Sequence, residues 1–180
     1  ADLYNANRGF DLTIGNPPWV RTTWQESNIL CDYEPLFRIR GLSASQAAKS
    51  RELALRSPCA RAGYLSAYEE SAGFQSLFSR LFPLFRGEPA NLYKAFIDLS
   101  ISTTSKRGVV GLIHPDGVYI DPGCKEFRQA SYLRKAFLFQ FRNEKRLFDI
   151  LHTRTYCVSI WRHPGPSGAA PCFAMIAKLF

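Results

Sequence analysis

At 180 residues and 20.4 kDa the chain has the length of one domain. Its 46% hydrophobic and 14% aromatic residues against 21% charged can fill a core, which excludes intrinsic disorder. Net charge is +8, and nearly all of it falls late: residues 1–90 hold 10 basic and 9 acidic side chains, residues 91–180 hold 13 and 6, so nucleic acid is the first partner to consider.

The segment Phe10 to Ile14 (FDLTI) alternates apolar with polar residues and stops at Gly15, which predicts a core strand running into Asn16, Pro17, Pro18 and Trp19. Neither proline has an N–H to give a ladder, so the strand has to end there. From Val20 to Glu88 helical stretches alternate with breaks at Pro58, Gly63, Gly73 and Pro83, a pattern that reads as a helical insertion. Within it Gln46 to Ser57 is rich in helix formers, and Phe74, Leu77, Phe78, Leu81 and Phe82 recur at helical spacing as a core stripe. Asn91 predicts an N-cap for a helix that buries Leu92, Ala95, Phe96 and Leu99 and runs to about Ser105.

The apolar run Gly108 to Ile113 (GVVGLI) predicts a strand buried on both faces of a parallel sheet. A helix over Lys125 to Lys135 and strands over Phe137 to Phe141 and Thr155 to Trp161 follow, the two strands paired antiparallel across a basic, turn-rich stretch. His163 to Pro171 reads as a loop before a short final apolar segment. The order implies an α/β fold.

Several classes are excluded by absence. Residues 1–9 lack the apolar core of a signal peptide, and no apolar run approaches the ~20 residues that span a bilayer, so neither a membrane nor secretion is expected. Five widely spaced cysteines with no C-x-x-C predict no metal site, and fit reduced, structural thiols in a cytoplasmic protein. No two glycines are separated by a single residue, so there is no G-x-G dinucleotide or S-adenosylmethionine loop. The chain opens at Ala1, without a methionine, just upstream of a core strand, and a fragment is the expectation.

The chemistry lies in Asn16 to Trp19. An exocyclic amine conjugated to a ring is a poor nucleophile, because its lone pair is delocalised. An Asn side-chain oxygen and a carbonyl fixed by a Pro-Pro turn can each accept one of its N–H bonds and aim the lone pair at a methyl donor. An aromatic such as Trp19 offers a face on which a flipped base stacks, worth roughly 1–3 kcal/mol. The plain alternative is a strand that ends in a Pro-Pro turn with a core Trp.

The stretch FDLTIGNPPWV, Phe10 to Val20, resembles the catalytic motif of amino-group DNA methyltransferases, especially the adenine-N6 enzymes of the fused restriction-modification type. Further segments match in order: NLYKAFIDLS at Asn91 to Ser100, RGVVGLIHPDGVY at Arg107 to Tyr119, and FRNEKRLFDILHTRTYCVSIW at Phe141 to Trp161. The resemblance covers about half of the chain and implies part of a Rossmann-like class I methyltransferase sheet, with a helical insertion at about residues 20–88 after the NPPW loop. It implies S-adenosylmethionine as co-substrate, with the donor loop in an upstream half that these 180 residues lack. By position, Asn16 and Pro17 would bind the target amino group, with Pro18 in the same loop. Trp19 would stack on the base, Phe148 or, in reserve, Tyr156 would contact it from another side, and Ile14 and Gly15 would lie near the donor.

The implied partners are double-stranded DNA and the remainder of a longer polypeptide. Of the basic stretch from Lys125 to Arg146, Lys125, Arg128, Arg142, Lys145 and Arg146 are candidates for phosphate contacts, with ordinary surface as the alternative. Asp11, Asp98, His114, His152 and His163 read as structural or exposed. Methylation of another planar nitrogen, guanine N2 in RNA or a glutamine amide in protein, and a non-catalytic DNA-binding module remain open.

Overall fold

The computed structural model describes residues 9–35, 37, 42–164 and 172–179. Eight residues at the start and residues 165–171 of the expected late loop lie outside them. The chain divides into two compact units, one formed by residues up to Arg21 and from Phe78 onward, the other by Thr22–Leu77.

In the first unit β1 (Phe10–Gly15) ends at the Pro-Pro turn, as two residues without a donor require. Helix α4 (Leu92–Ser102) then feeds β2 (Thr104–Pro115), followed by the single turn α5 (Gly117–Ile120) and by α6 (Lys125–Tyr132). Strands β3 (Lys135–Arg142), β4 (Thr155–Arg162) and β5 (Ala174–Leu179) complete a five-stranded sheet in the order β1-β2-β4-β3-β5. The pairs β1/β2 and β3/β5 are parallel, and β4 runs antiparallel to both β2 and β3. The mixed α/β architecture agrees with the sequence, and the final apolar segment proves to be a strand.

Register decides what each face carries. Val110, Leu112 and His114 on β2 stand opposite Trp161, Ser159 and Cys157 on β4. This face takes Ile97 and Ile101 of α4 and Phe127 of α6 in a core with Phe78, Phe85 and Tyr93. Trp161, 1% exposed, donates its indole N–H to Ser131 Oγ at 2.8 Å, so its burial leaves no unpaired donor. Burying each such ring is worth about 1.5–3 kcal/mol.

The other face carries Val109, Gly111 and Ile113, aligned with Leu12 and Ile14 on β1 and with Ile160 and Phe137 beyond β4. Leu12, Ile14 and Phe137 are exposed there, Ile14 at 76%. The expectation of a strand buried on both faces is therefore corrected: α4 and α6 pack on one side only, and β2 alternates. Strand β1, expected as a core strand, is a sheet edge among the described residues. Its approach to β2 is close, since a Cβ on Gly108 would overlap the Phe10 carbonyl and the Thr104 methyl.

Other boundaries move for physical reasons. Helix α4 stops at Ser102 rather than near Ser105, because Thr104 and Ser105 already belong to β2, and its inward face is not the expected one: Ala95 is buried with Tyr93, Ile97 and Ile101, Leu92 is half-buried, and Phe96 and Leu99 are exposed. Asn91 holds the N-cap position but makes no cap bond; its Oδ1 is buried without a partner, and its backbone bridges Arg21. Helix α6 ends at Tyr132, and Lys135 opens β3 instead of closing the helix.

In the second unit α1 (Glu26–Leu30) and α2 (Ala44–Ala54) precede α3 (Pro58–Leu81), whose last turn runs into the first unit. Ser43 caps α2 in a full capping box with Gln46. Arg51 and the Tyr64 hydroxyl both donate to Glu26, at 3.0 and 2.8 Å, and Trp24 meets Tyr64 and Tyr68 edge-on. Gly63 and Gly73 do not break the helix as expected; α3 passes through both, a cost of about 1 kcal/mol each that its length absorbs. The expected core stripe is also reduced: Phe78 is buried and Phe82 half-buried, whereas Phe74, Leu77 and Leu81 are exposed.

Candidate functional site

The turn after β1 presents its four residues in two directions. Pro17 is buried, which fixes the loop; Asn16 and Pro18 are exposed, and Trp19 is half-buried. Val20 accepts a backbone bond from Leu92 N at 2.9 Å, and Arg21 bridges Asn91, so the loop's exit is tied to the start of α4. Both ends are thereby anchored, and Asn16 stands free between them with its amide unpaired among the described residues.

Trp19 is met by two rings from far along the chain. The Phe148 centroid lies 4.9 Å away at 37° and the Tyr156 centroid 6.2 Å away at 34°. Phe148 and Tyr156 in turn meet edge-on at 4.8 Å, and Phe141 stacks on Tyr156 at 5.3 Å. The structure thus brings both sequence candidates for the second aromatic to Trp19. At 4.9 Å the Trp19 and Phe148 rings touch, so no base fits between them without their parting. The Trp19 indole N–H is buried with no partner, and burial raises the Tyr156 phenol.

Register explains Tyr156: second in β4, it stands opposite Pro115, the last residue of β2, at the sheet end where β1 also terminates. Phe148 needs another device, since it lies in the irregular connection from β3 to β4. Asn143, 1% exposed, supplies it. Its Nδ2 donates to Phe148 O at 2.9 Å and Ile150 O at 3.0 Å, and its Oδ1 accepts from Phe148 N at 3.2 Å. The neck closes with Asn143 N donating to Arg154 O at 2.9 Å. The loop curls around an open concavity of about 600 Å³ lined by residues 146–152.

Two clusters, one half-buried and one fully buried, brace this end of the sheet. Asp116 accepts from the Thr155 hydroxyl and from Gln140 Nε2, tying the end of β2 to β4 and β3. Behind it His114, fully buried, bonds through Nδ1 to Pro115 O at 2.7 Å and through Nε2 to Ser159 Oγ at 2.9 Å, and Tyr119 OH lies 2.8 Å from the same hydroxyl. Burial pulls His114 down to about 4, so it is neutral at pH 7 and structural, as its sequence context suggests. Asp11 accepts from Ser105 Oγ at 2.8 Å and Asp98 from Leu84 N at 3.3 Å, while His152 and His163 are exposed.

Sequence reasoning did not single out Asn143 or Asp116. A signal for the first existed, an Asn at the mouth of a turn-rich stretch, where its amide bonds the loop's own backbone.

The basic candidates separate by environment. Lys125, Lys145 and Arg146 are exposed. Arg142 pairs with Glu144 at 3.3 Å, and Arg128 donates to the carbonyls of Asp121 and Pro122, at 2.5 and 3.3 Å, so its guanidinium is engaged in bracing a loop. Glu88, Asp121 and Cys124 bring their ligand atoms within 4.8 Å of one another, the one such group among the described residues. The Lys94 ammonium sits among them, 2.6, 3.2 and 3.3 Å from the three, and takes the place a cation would need.

Ile14 and Gly15 lie at the carboxyl end of an edge strand, the side on which open α/β sheets bind ligands. The Ile14 side chain is exposed there and Gly15 is half-buried. Among the described residues no glycine-rich turn faces them.

The fold has a counterpart among solved structures. The chain is similar to the ATP-dependent Type ISP restriction-modification enzyme LlaBIII, solved bound to DNA, with a TM-score of 0.50 and 10% sequence identity. The match covers 94% of this chain and 10% of that one, so the 180 residues span about a tenth of its length. No protein-family model matches the chain, and no curated protein matches it. Among the described residues no helix is long and apolar enough to cross a membrane.

Proposed function

We propose that this chain is the base-binding half of the catalytic domain of an adenine-N6 DNA methyltransferase, serving a restriction-modification or phage-defence system. The observation that carries the reading is the convergence of Trp19, Phe148 and Tyr156 beside a free Asn16 at the end of β1. Rings from two regions of the chain more than a hundred residues apart build an aromatic surface next to the Pro-Pro turn, which a simple strand terminator does not need.

In this reading an adenine swung out of the duplex stacks on the Trp19 face, with Phe148 parting from the indole to admit it. The Asn16 side-chain oxygen and the Pro17 carbonyl accept the two N–H bonds of the exocyclic amine. This draws nitrogen toward tetrahedral geometry and aims its lone pair away from the ring. Pro18 keeps a competing backbone N–H out of the loop. S-adenosylmethionine supplies an electrophilic methyl group when bound, with Ile14 and Gly15 forming one wall of its site. The acidic and glycine-rich parts of that site belong to the remainder of a longer polypeptide, which would also cover Leu12, Ile14, Val109 and Phe137. Exposed Lys125, Lys145, Arg146 and, in exchange with Glu144, Arg142 meet phosphates, with Arg128 bracing the turn at Asp121 and Pro122 that leads to Lys125. The net charge of +8 favours nucleic acid over a peptide substrate.

The test joins this chain to its donor-binding half and follows labelled methyl incorporation into DNA, with the modified base identified by hydrolysis. N6-methyladenine is expected. Methylated guanine in RNA or methylated glutamine in protein would transfer the same chemistry to another planar nitrogen, and no transfer with intact DNA binding would leave a non-catalytic module.

A further inference from the structure

The loop that carries Phe148 inward carries two leucines outward. Leu147 and Leu151 are 69% and 64% exposed, more than most large apolar side chains of the unit. They lie on the one connection whose inner residue reaches the candidate base site, and Asn143 holds that connection from within through three hydrogen bonds. Four exposed arginines and lysines flank them in sequence, Arg142, Lys145, Arg146 and Arg154, against Glu144, which pairs with Arg142, and Asp149. Arg146 adopts a left-handed backbone, φ 52°, which turns the chain sharply just before Leu147.

We propose that this loop, residues 143–154, is a wedge that enters double-stranded DNA beside the base held at Trp19, with Leu147 and Leu151 filling the space the extruded base leaves. The proposal rests on the reading of the Trp19 site as a base pocket. Charge complementarity selects the occupant: the cations sit where phosphates flank the insertion point, and apolar wedges between base steps are a recognised way to hold a duplex open. The geometry couples the two events, because Phe148 is adjacent in sequence to Leu147. Force on the leucines from an incoming duplex acts on the residue that closes the Trp19 surface.

The test uses the 180-residue chain and fluorescence anisotropy with two probes, a short blunt duplex and the same duplex with one abasic site. Insertion into an intact stack costs unstacking energy, whereas the abasic site offers a ready hole. The wild-type chain should therefore prefer the abasic duplex by about tenfold. Leu147→Ala with Leu151→Ala should abolish the preference while keeping salt-sensitive affinity for the intact duplex. Arg142→Gln with Lys145→Gln and Arg146→Gln should weaken both probes and keep the ratio. Because both leucines are exposed, the double variant should melt at the wild-type temperature. A leucine variant that retains the preference, or a wild-type chain that shows none, overturns the wedge and leaves the leucines to a protein surface. Absence of any DNA binding at low salt instead overturns the DNA reading on which the wedge depends.

Discussion

Replacing Asn143 by alanine should loosen the loop that delivers Phe148 to Trp19 without touching either ring. The side chain is 1% exposed and makes three hydrogen bonds, two given by Nδ2 and one taken by Oδ1. At about 0.5–1.5 kcal/mol net for each bond, the loss is about 2–4 kcal/mol, the upper end applying where the freed carbonyls stay out of water. Phe148 and Ile150 are only half-buried, so water restores part of this, and about 2–3 kcal/mol is expected. For a chain of this size that lowers the melting temperature by roughly 4–12 °C. Calorimetry measures it, and Trp fluorescence reports the local consequence, a red shift as the indole loses the Phe148 ring. Asn143→Asp keeps the acceptor but loses both donors and buries a charge, so it should be no more stable than the alanine. A melting temperature within a degree of wild type for Asn143→Ala would refute the idea that this amide holds the loop.

Other consequences follow from the buried groups. His114, held near 4 by burial against 6.5 unfolded, stabilises fully above pH 6.5 and loses that contribution as pH falls toward 4. Urea unfolding should show wild type losing about 3 kcal/mol more than His114→Gln between pH 7 and pH 4; equal losses would place His114 in water. Lys135 is 2% exposed, its ammonium facing Tyr119, Tyr132 and Phe173 at 3.9, 4.6 and 5.1 Å without a hydrogen-bond partner, and burial lowers it to about 8. The rings return only part of the desolvation cost, so Lys135→Met should stabilise by about 1 kcal/mol at pH 7. That gain should shrink as pH rises from 8 to 10.5, where only the unfolded lysine stays protonated. Gly123→Ala would drive a methyl into the Glu88 carboxylate and displace it from Lys94, costing about 2–4 kcal/mol by chemical denaturation.

How much of this was legible in the sequence depended on whether a local rule decided it. The end of β1 was, because two prolines cannot continue a ladder, and so was the antiparallel pairing of β3 with β4, because each strand declares itself by its own composition. Helix α3 misled for the opposite reason: glycine lowers helix stability by an amount that tertiary packing over 24 residues overrides. The exposure of Val109 and Ile14 could not be read from an apolar run, since such a run says that a face wants cover and not that this chain provides it. At the site, Trp19 was singled out by residue type and its place after the Pro-Pro turn, and Phe148 and Tyr156 only through the resemblance to amino-group methyltransferases. Asn143 was not, because its role exists only once the loop has closed around it.

The central claim is that Asn16 orients an amine for methyl transfer rather than ending a strand. The measurement is tritiated methyl incorporation into DNA by this chain joined to its donor-binding half, with wild type beside Asn16→Ala. Loss of the amide oxygen removes an interaction made with the attacking nitrogen, so kcat should fall by at least about a hundredfold while melting temperature and donor affinity stay within error. Turnover near wild type, or a loss of activity matched by a loss of stability, would contradict the assignment.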